Sequence, residues 1–144
     1  MSEYNANYSL EDIKRKITEH GMKCTSQRIA IYKELLAKDH QSAEEIHDRV
    51  IKTHPSISLS TVYNSLETFC DKTLIGKVNS GEGKMRYSWV LNPHAHLYCN
   101  KSKELIDYID DELQEKIAKH LAQGKIPDFN IWEVQIVISG EKLN

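Results

Sequence analysis

His94-Ala-His96-Leu-Tyr-Cys99 is followed closely by Lys103-Glu-Leu-Ile-Asp107. Read as a strand, His94 and His96 point to one face, because side chains alternate along extended backbone. Two imidazoles on one face, with a carboxylate on the next strand, make half of a metal shell. Alone, an H-x-H pair is a weak signal. Its weight depends on what the rest of the chain builds around it.

The preceding stretch reads as a helical unit. Ser9-Leu-Glu-Asp12 predicts a helix start, with Ser9 as N-cap and acidic residues in the first turn, where the helix dipole favours them. Leu10, Ile13 and Ile17 form its apolar stripe, and Gly21 suits a left-handed end. Thr25 caps a second helix carrying Ile29, Ile31, Tyr32, Leu35 and Leu36, which runs out near Asp39-His40. Ser42-Ala-Glu-Glu45 reads as a capping box opening a third helix with Ile46, Val50 and Ile51 inside.

Ser58 caps a fourth helix in which Val62, Leu66 and Phe69 face inward. Ser60, Thr61, Tyr63, Asn64 and Glu67 are left on the outer arc, a composition suited to entering a DNA groove. Leu74–Asn79 and Lys84–Leu91 are strand-like runs joined by Ser80-Gly81-Glu82-Gly83, a hairpin signal. Three helices, a recognition-type helix and a hairpin make a winged helix, a variant of the helix-turn-helix plan.

Asn92-Pro93 is the natural boundary. Beyond it come two strands (94–99 and 104–109), then a helix opening on Asp110, Asp111 and Glu112 with Leu113, Ile117 and Leu121 as its stripe. A final strand carries Trp132, Val134, Ile136 and Ile138 on one face. The fold class is α+β: a winged-helix DNA-binding domain over residues 1–91, then a small α/β dimerisation and metal-sensing domain over residues 92–144. So short a second domain has little core of its own, and pairing with a second copy would bury its apolar surface. A homodimer also matches the paired half-sites of helix-turn-helix operators.

A chain of 144 residues with net charge −2 carries no apolar run long enough for a membrane span. Met1–Ser9 lacks the pattern of a signal peptide, so the expected location is cytoplasmic, with no membrane partner. Residues 1–91 hold 13 Lys and Arg against 12 Asp and Glu, whereas residues 92–144 hold 6 against 9. Such a balance neither supports nor opposes nucleic-acid binding. Cys24, Cys70 and Cys99 form no C-x-x-C pair and no disulfide framework.

Three motifs then carry a family resemblance, covering roughly residues 10–140. Gly21-Met-Lys-Cys-Thr25-Ser-Gln-Arg28 resembles the G-x-x-x-T-x-Q-R of the ferric uptake regulator (Fur) superfamily. Ser58-Leu-Ser-Thr61-Val-Tyr63-Asn64-Ser-Leu66 resembles its recognition helix, and His94-x-His96-x-x-Cys99 with Asp107 resembles its metal-binding strands. The resemblance implies a metal-dependent transcriptional regulator, commonly a repressor, binding a double-stranded DNA operator as a homodimer. It maps DNA contacts to Arg28, Thr61, Tyr63 and Asn64, with Ser60 beside them on the same arc, and a regulatory metal to His40, His94, His96 and Asp107. Such donors suit Fe(II), Mn(II) or Zn(II). A metal joining His40 to the strand histidines would fix the hinge at Asn92-Pro93 and so set operator affinity. An aspartate at position 107 resembles the peroxide-sensing PerR branch, where bound ferrous iron leads peroxide to oxidise a liganding histidine.

Two departures stand out. Ser88 occupies a wing position where the family commonly has a second carboxylate, which leaves four protein ligands or recruits Asn92 or water. The Cys-x-x-Cys pairs of the family's structural zinc site are missing, so no structural zinc is expected. Apolar packing by Ile106, Trp132, Val134 and Ile136 would take its place, with Cys99 as a small buried hydrophobe. Among rival classes, a facial-triad iron oxygenase uses similar donors but leaves the winged helix unexplained, and no enzyme motif is present. A regulator of iron, manganese or zinc uptake is compatible with the same residues, and so is a metal-independent DNA-binding dimer.

Overall fold

The computed structural model describes residues 8–80, 83–91 and 93–143, and the chain divides between Leu91 and Asn92 into two compact units. The first unit holds four helices, α1 (Leu10–Glu19), α2 (Ser26–Ala37), α3 (Ala43–Val50) and α4 (Leu59–Asp71), then strands β1 (Gly76–Asn79) and β2 (Met85–Ser88).

Each helix starts where a side-chain oxygen takes an otherwise orphaned backbone N–H. Ser9, Thr25, Ser42 and Ser58 accept from Asp12, Arg28, Glu45 and Thr61 respectively. Ser9 with Asp12 completes a capping box. The box expected at Ser42 is only half made: Ser42 Oγ accepts from the Glu45 N–H at 3.2 Å, but the Glu45 carboxylate meets the Ser42 hydroxyl at 3.4 Å. Gly21 takes φ +80°, where a residue with a Cβ would be strained.

Ile17, Ile31, Leu35, Ile46, Val62, Leu66 and Phe69 are fully buried together, and the Phe69 ring meets Tyr32 edge-on at 5.8 Å. The wing strands pair antiparallel from Gly76 opposite Ser88 to Asn79 opposite Met85. They are shorter than the runs read from sequence, and of the turn joining them Gly81 and Glu82 lie outside the described residues. Tyr87 anchors the wing. Its ring is buried, and its hydroxyl donates to Glu67 of α4 at 3.1 Å, while Lys77 Nζ holds the other oxygen of Glu67 at 2.8 Å.

The second unit has β3 (Ala95–Cys99), β4 (Leu105–Tyr108), α5 (Asp111–Ala122) and β5 (Val137–Gly140). Its sheet runs β4-β3-β5, with β4 antiparallel and β5 parallel to the central β3. Asp110 caps α5 by accepting from the Leu113 N–H at 3.1 Å. The strand expected over Trp132–Ile138 is not formed as such: regular pairing begins only at Val137. Trp132 is 91% exposed and Val134 is exposed, so neither packs a core in the single chain. The cause lies in β3, whose parallel register from His96–Val137 to Cys99–Gly140 is used up by β5. Just upstream, the Ile136 carbonyl reaches it, accepting from the His96 N–H at 2.9 Å.

Candidate metal centre and nucleic-acid interface

In the second unit, His96 stands directly opposite Asp107 across the β3–β4 ladder. Residues opposite one another share a sheet face. His94 lies just before β3 and two residues from His96, which brings its ring to the same side. The rings lie 4.5 Å apart, and Asp107 Oδ1 is 3.0 Å from His94 Nε2 and 3.5 Å from His96 Nε2. Both histidine side chains are buried and the Asp107 carboxylate is half-buried.

These spacings fit a shared cation. Two donors about 2.1 Å from one ion stand about 3.0 Å apart at a right angle and about 3.4 Å apart at the tetrahedral angle. A purely orienting carboxylate would hold the nitrogen remote from a metal. Here one oxygen faces the Nε2 atoms of both rings, as donors converging on a point do. Two imidazoles and a carboxylate form a set that divalent transition metals accept.

In the first unit, His40 sits in the connection between α2 and α3 with φ +60°. Its N–H donates to the Tyr87 carbonyl at 3.1 Å, and the Tyr87 N–H returns to the Gln41 carbonyl at 2.9 Å. Arg86 Nη1 adds a bond to the His40 carbonyl at 3.3 Å. The connection is thus laddered onto β2. Gln41 is fully buried, and its Nε2 donates to the Glu34 and Lys38 carbonyls at 2.9 and 2.6 Å, closing the end of α2. Ser88, the neutral residue at the wing position, donates from Oγ to Asp39 Oδ2 at 3.2 Å. That same Asp39 oxygen is 3.4 Å from His40 Nε2. Asn92, the side chain that could replace the missing carboxylate, lies outside the described residues.

The outer arc of α4 presents Ser60, Tyr63 and Asn64 to solvent, with Val62 and Leu66 buried behind them. Thr61 is half-buried, its Oγ1 sharing a hydrogen bond with Ser58 Oγ at 2.9 Å. Tyr63 donates its hydroxyl to Glu44 Oε1 at 2.6 Å. That bond is the main cause holding the Glu44 carboxyl below its usual range and raising the Tyr63 hydroxyl above its own. Arg28, in the first turns of α2, is half-buried and hydrogen-bonded through Nη1 to the Lys23 carbonyl at 2.9 Å.

The model of the ferric uptake regulator family matches residues 19–138. The chain belongs to that family. The peroxide-responsive repressor PerR of Staphylococcus saprophyticus is 31% identical over 134 residues, which are 92% of this chain and 88% of the relative. The ferric uptake regulator of Vibrio cholerae has the same fold, with TM-score 0.72 at 24% identity over 90% of this chain and 98% of that one. A zinc-bound manganese uptake regulator gives TM-score 0.68 at 30% identity, covering 94% of this chain and all (100%) of its own. Ferric uptake regulators are metal-responsive DNA-binding transcription regulators and not enzymes, so the oxygenase reading falls away. No helix among the described residues is long and apolar enough to cross a membrane.

One residue of this region escaped sequence reading. Asp39 stands in the polar run Lys38-Asp39-His40-Gln41, which reads as an ordinary connection between helices. Only its contacts with His40 and with Ser88, far along the chain, single it out.

Proposed function

We propose that this Fur-family regulator binds operator DNA as a homodimer under the control of a regulatory metal, and that peroxide ends that binding. The observation that carries the reading is the convergence of His94 and His96 on one oxygen of Asp107. His40 of the first unit completes the donor set, as the resemblance implies, so that a bound ion ties the winged helix to the second unit. Fe(II) or Mn(II) is the proposed ion, with Zn(II) as a substitute, and no structural zinc is invoked. Bound iron would supply one-electron reduction of peroxide. The chain's part is to hold imidazole carbons of His40 or His94 within reach of the oxidant. A histidine that has gained oxygen is a poorer donor, so the ion is released and the units uncouple.

Arg28, Ser60, Thr61, Tyr63 and Asn64 are the proposed DNA contacts. Arg28 anchors a phosphate or enters a narrow minor groove, and Tyr63 lays its ring on thymine methyls. Homodimerisation is supported by the second unit's exposed apolar side chains, Ile126, Phe129, Trp132 and Val134, and by α5, which has no buried residue in the single chain. A cytoplasmic location follows from an operator as partner.

The test is DNA binding by the purified protein on a duplex that it selects from a random pool. Binding is measured with chelator, with Mn(II), and with Fe(II) before and after a peroxide pulse. Peroxide sensing requires that binding be restored by either metal and be lost after peroxide only in the iron sample, with one added oxygen on His40 or His94 by mass spectrometry. Metal-dependent binding that survives peroxide indicates a metal-uptake regulator instead. Binding indifferent to chelator overturns the metal switch.

A further inference from the structure

We infer that Asp39 is an additional metal ligand of this chain, supplying from the α2–α3 connection the carboxylate that the wing lacks at Ser88. The inference rests on the proposed regulatory site, because His40 is the donor beside which Asp39 stands.

The local geometry argues for it in three steps. In extended backbone, neighbouring residues point to opposite sides. His40 adopts φ +60°, and this left-handed residue turns the chain so that the Asp39 and His40 side chains meet. The turn is fixed by the backbone pairing of residues 40 and 41 with Tyr87 and by Arg86 on the His40 carbonyl. The pair is therefore held by the wing and does not depend on loop packing.

The spacing is also that of two donors to one ion. Asp39 Oδ2 lies 3.4 Å from His40 Nε2, within the range of about 3.0 to 3.4 Å expected for ligand atoms on a common divalent metal. It matches the spacing of Asp107 from the two strand histidines, 3.0 and 3.5 Å.

Ser88 completes the arrangement. A serine hydroxyl is neutral and a poor ligand, but it is a good hydrogen-bond donor. Ser88 Oγ gives its proton to Asp39 Oδ2 at 3.2 Å and accepts from the Val90 N–H at 3.1 Å. With a lone pair engaged by the Val90 N–H, the hydroxyl is oriented toward the carboxylate. Ser88 thus positions a ligand rather than being one. As a second carboxylate ligand beside Asp107, Asp39 would add one negative charge to the donor set, which suits a divalent ion.

The experiment uses the full chain and two readouts other than DNA binding: Mn(II) affinity from the free-ion EPR signal, and the visible absorption of the Co(II)-loaded protein. Asp39→Asn is expected to weaken Mn(II) binding about a hundredfold and to change the Co(II) band intensity, whereas Ser88→Ala, which removes the orienting hydroxyl together with the acceptor of the Val90 N–H, costs about tenfold. Placing the carboxylate on the wing in the double variant D39N/S88D is expected to restore most of the affinity. That rescue separates loss of a ligand from loss of fold. D39N with wild-type affinity and an unchanged Co(II) spectrum overturns the inference, as does failure of S88D to rescue, while loss of binding in His96→Ala keeps the underlying site intact. Wild-type protein that binds no better than H96A overturns both.

Discussion

The hydroxyl of Tyr63 donates to the carboxylate of Glu44 at 2.6 Å, tying the solvent face of α4 to the first turn of α3. The bond orients the ring of a proposed DNA-contacting residue, and it places a negative charge beside it. Near a duplex that charge faces phosphates, and repulsion opposes binding. Glu44→Gln keeps a hydrogen-bond acceptor and removes the charge. It is expected to tighten DNA binding about two- to fivefold, the scale of an exposed charge interaction, with the larger gain at low salt. Fluorescence anisotropy at two salt concentrations measures it, and weaker binding would show that Tyr63 needs the ionised partner.

Gln41 joins the end of α2 to the wing. Its side chain donates to the carbonyls of Glu34 in α2 and of the C-cap Lys38, and its own carbonyl takes the Tyr87 N–H. Gln41→Leu keeps the bulk but takes the donor away from two part-buried carbonyls, at a cost of about 1–3 kcal/mol. Urea unfolding is expected to show a lower midpoint with an unchanged slope. An unaltered midpoint would mean that water reaches those carbonyls.

Cys99 carries a pH signature. It is a buried residue, as a small hydrophobe would be, yet its thiol is pulled down to about 7, first by the Ser102 hydroxyl and then by the Ser102 N–H, which reaches Sγ at 3.4 Å. A group lowered by folding stabilises the fold fully above its ordinary value, here 9.0, and ceases to do so as pH falls through about 7. With chelator present, the melting-temperature difference between wild type and Cys99→Ala should widen from pH 7 to pH 9. A difference independent of pH would place the thiol outside this titration.

Trp132 offers a direct test of association. At 91% exposure it emits from water in the single chain, and burial by a second copy would shift its emission to the blue. The shift is expected to appear as protein concentration rises and to vanish in Trp132→Phe. Trp132→Ser is expected to move the sedimentation profile toward monomer. A monomeric wild type at micromolar concentration would contradict the homodimer.

The first unit was legible because its signals are local. Ser9, Thr25, Ser42 and Ser58 each announce a helix within four residues, and the buried set of Val62, Leu66 and Phe69 follows from period alone. In the second unit, alternation along Trp132–Ile138 told which side chains share a face but not whether a partner backbone was available. The short β3 provided one only from Val137 onward. The strand histidines and Asp107 were legible from spacing and from the family resemblance, whereas the register that sets Asp107 opposite His96 came from the fold. Asp39 was not, because its meaning depends on a serine far along the chain and on the backbone turn at His40.

β3 lies between β4, which follows it almost at once, and β5, which arrives only after α5 and a long irregular stretch. A hairpin closes quickly, whereas a parallel pairing must wait for distant chain to return. The strand bearing His96 therefore acquires its second neighbour late in folding, after the winged helix has been able to form from nearby contacts. A newly made chain can complete its helical unit before the sheet that carries His96 and Asp107, and the wait for β5 sets that interval.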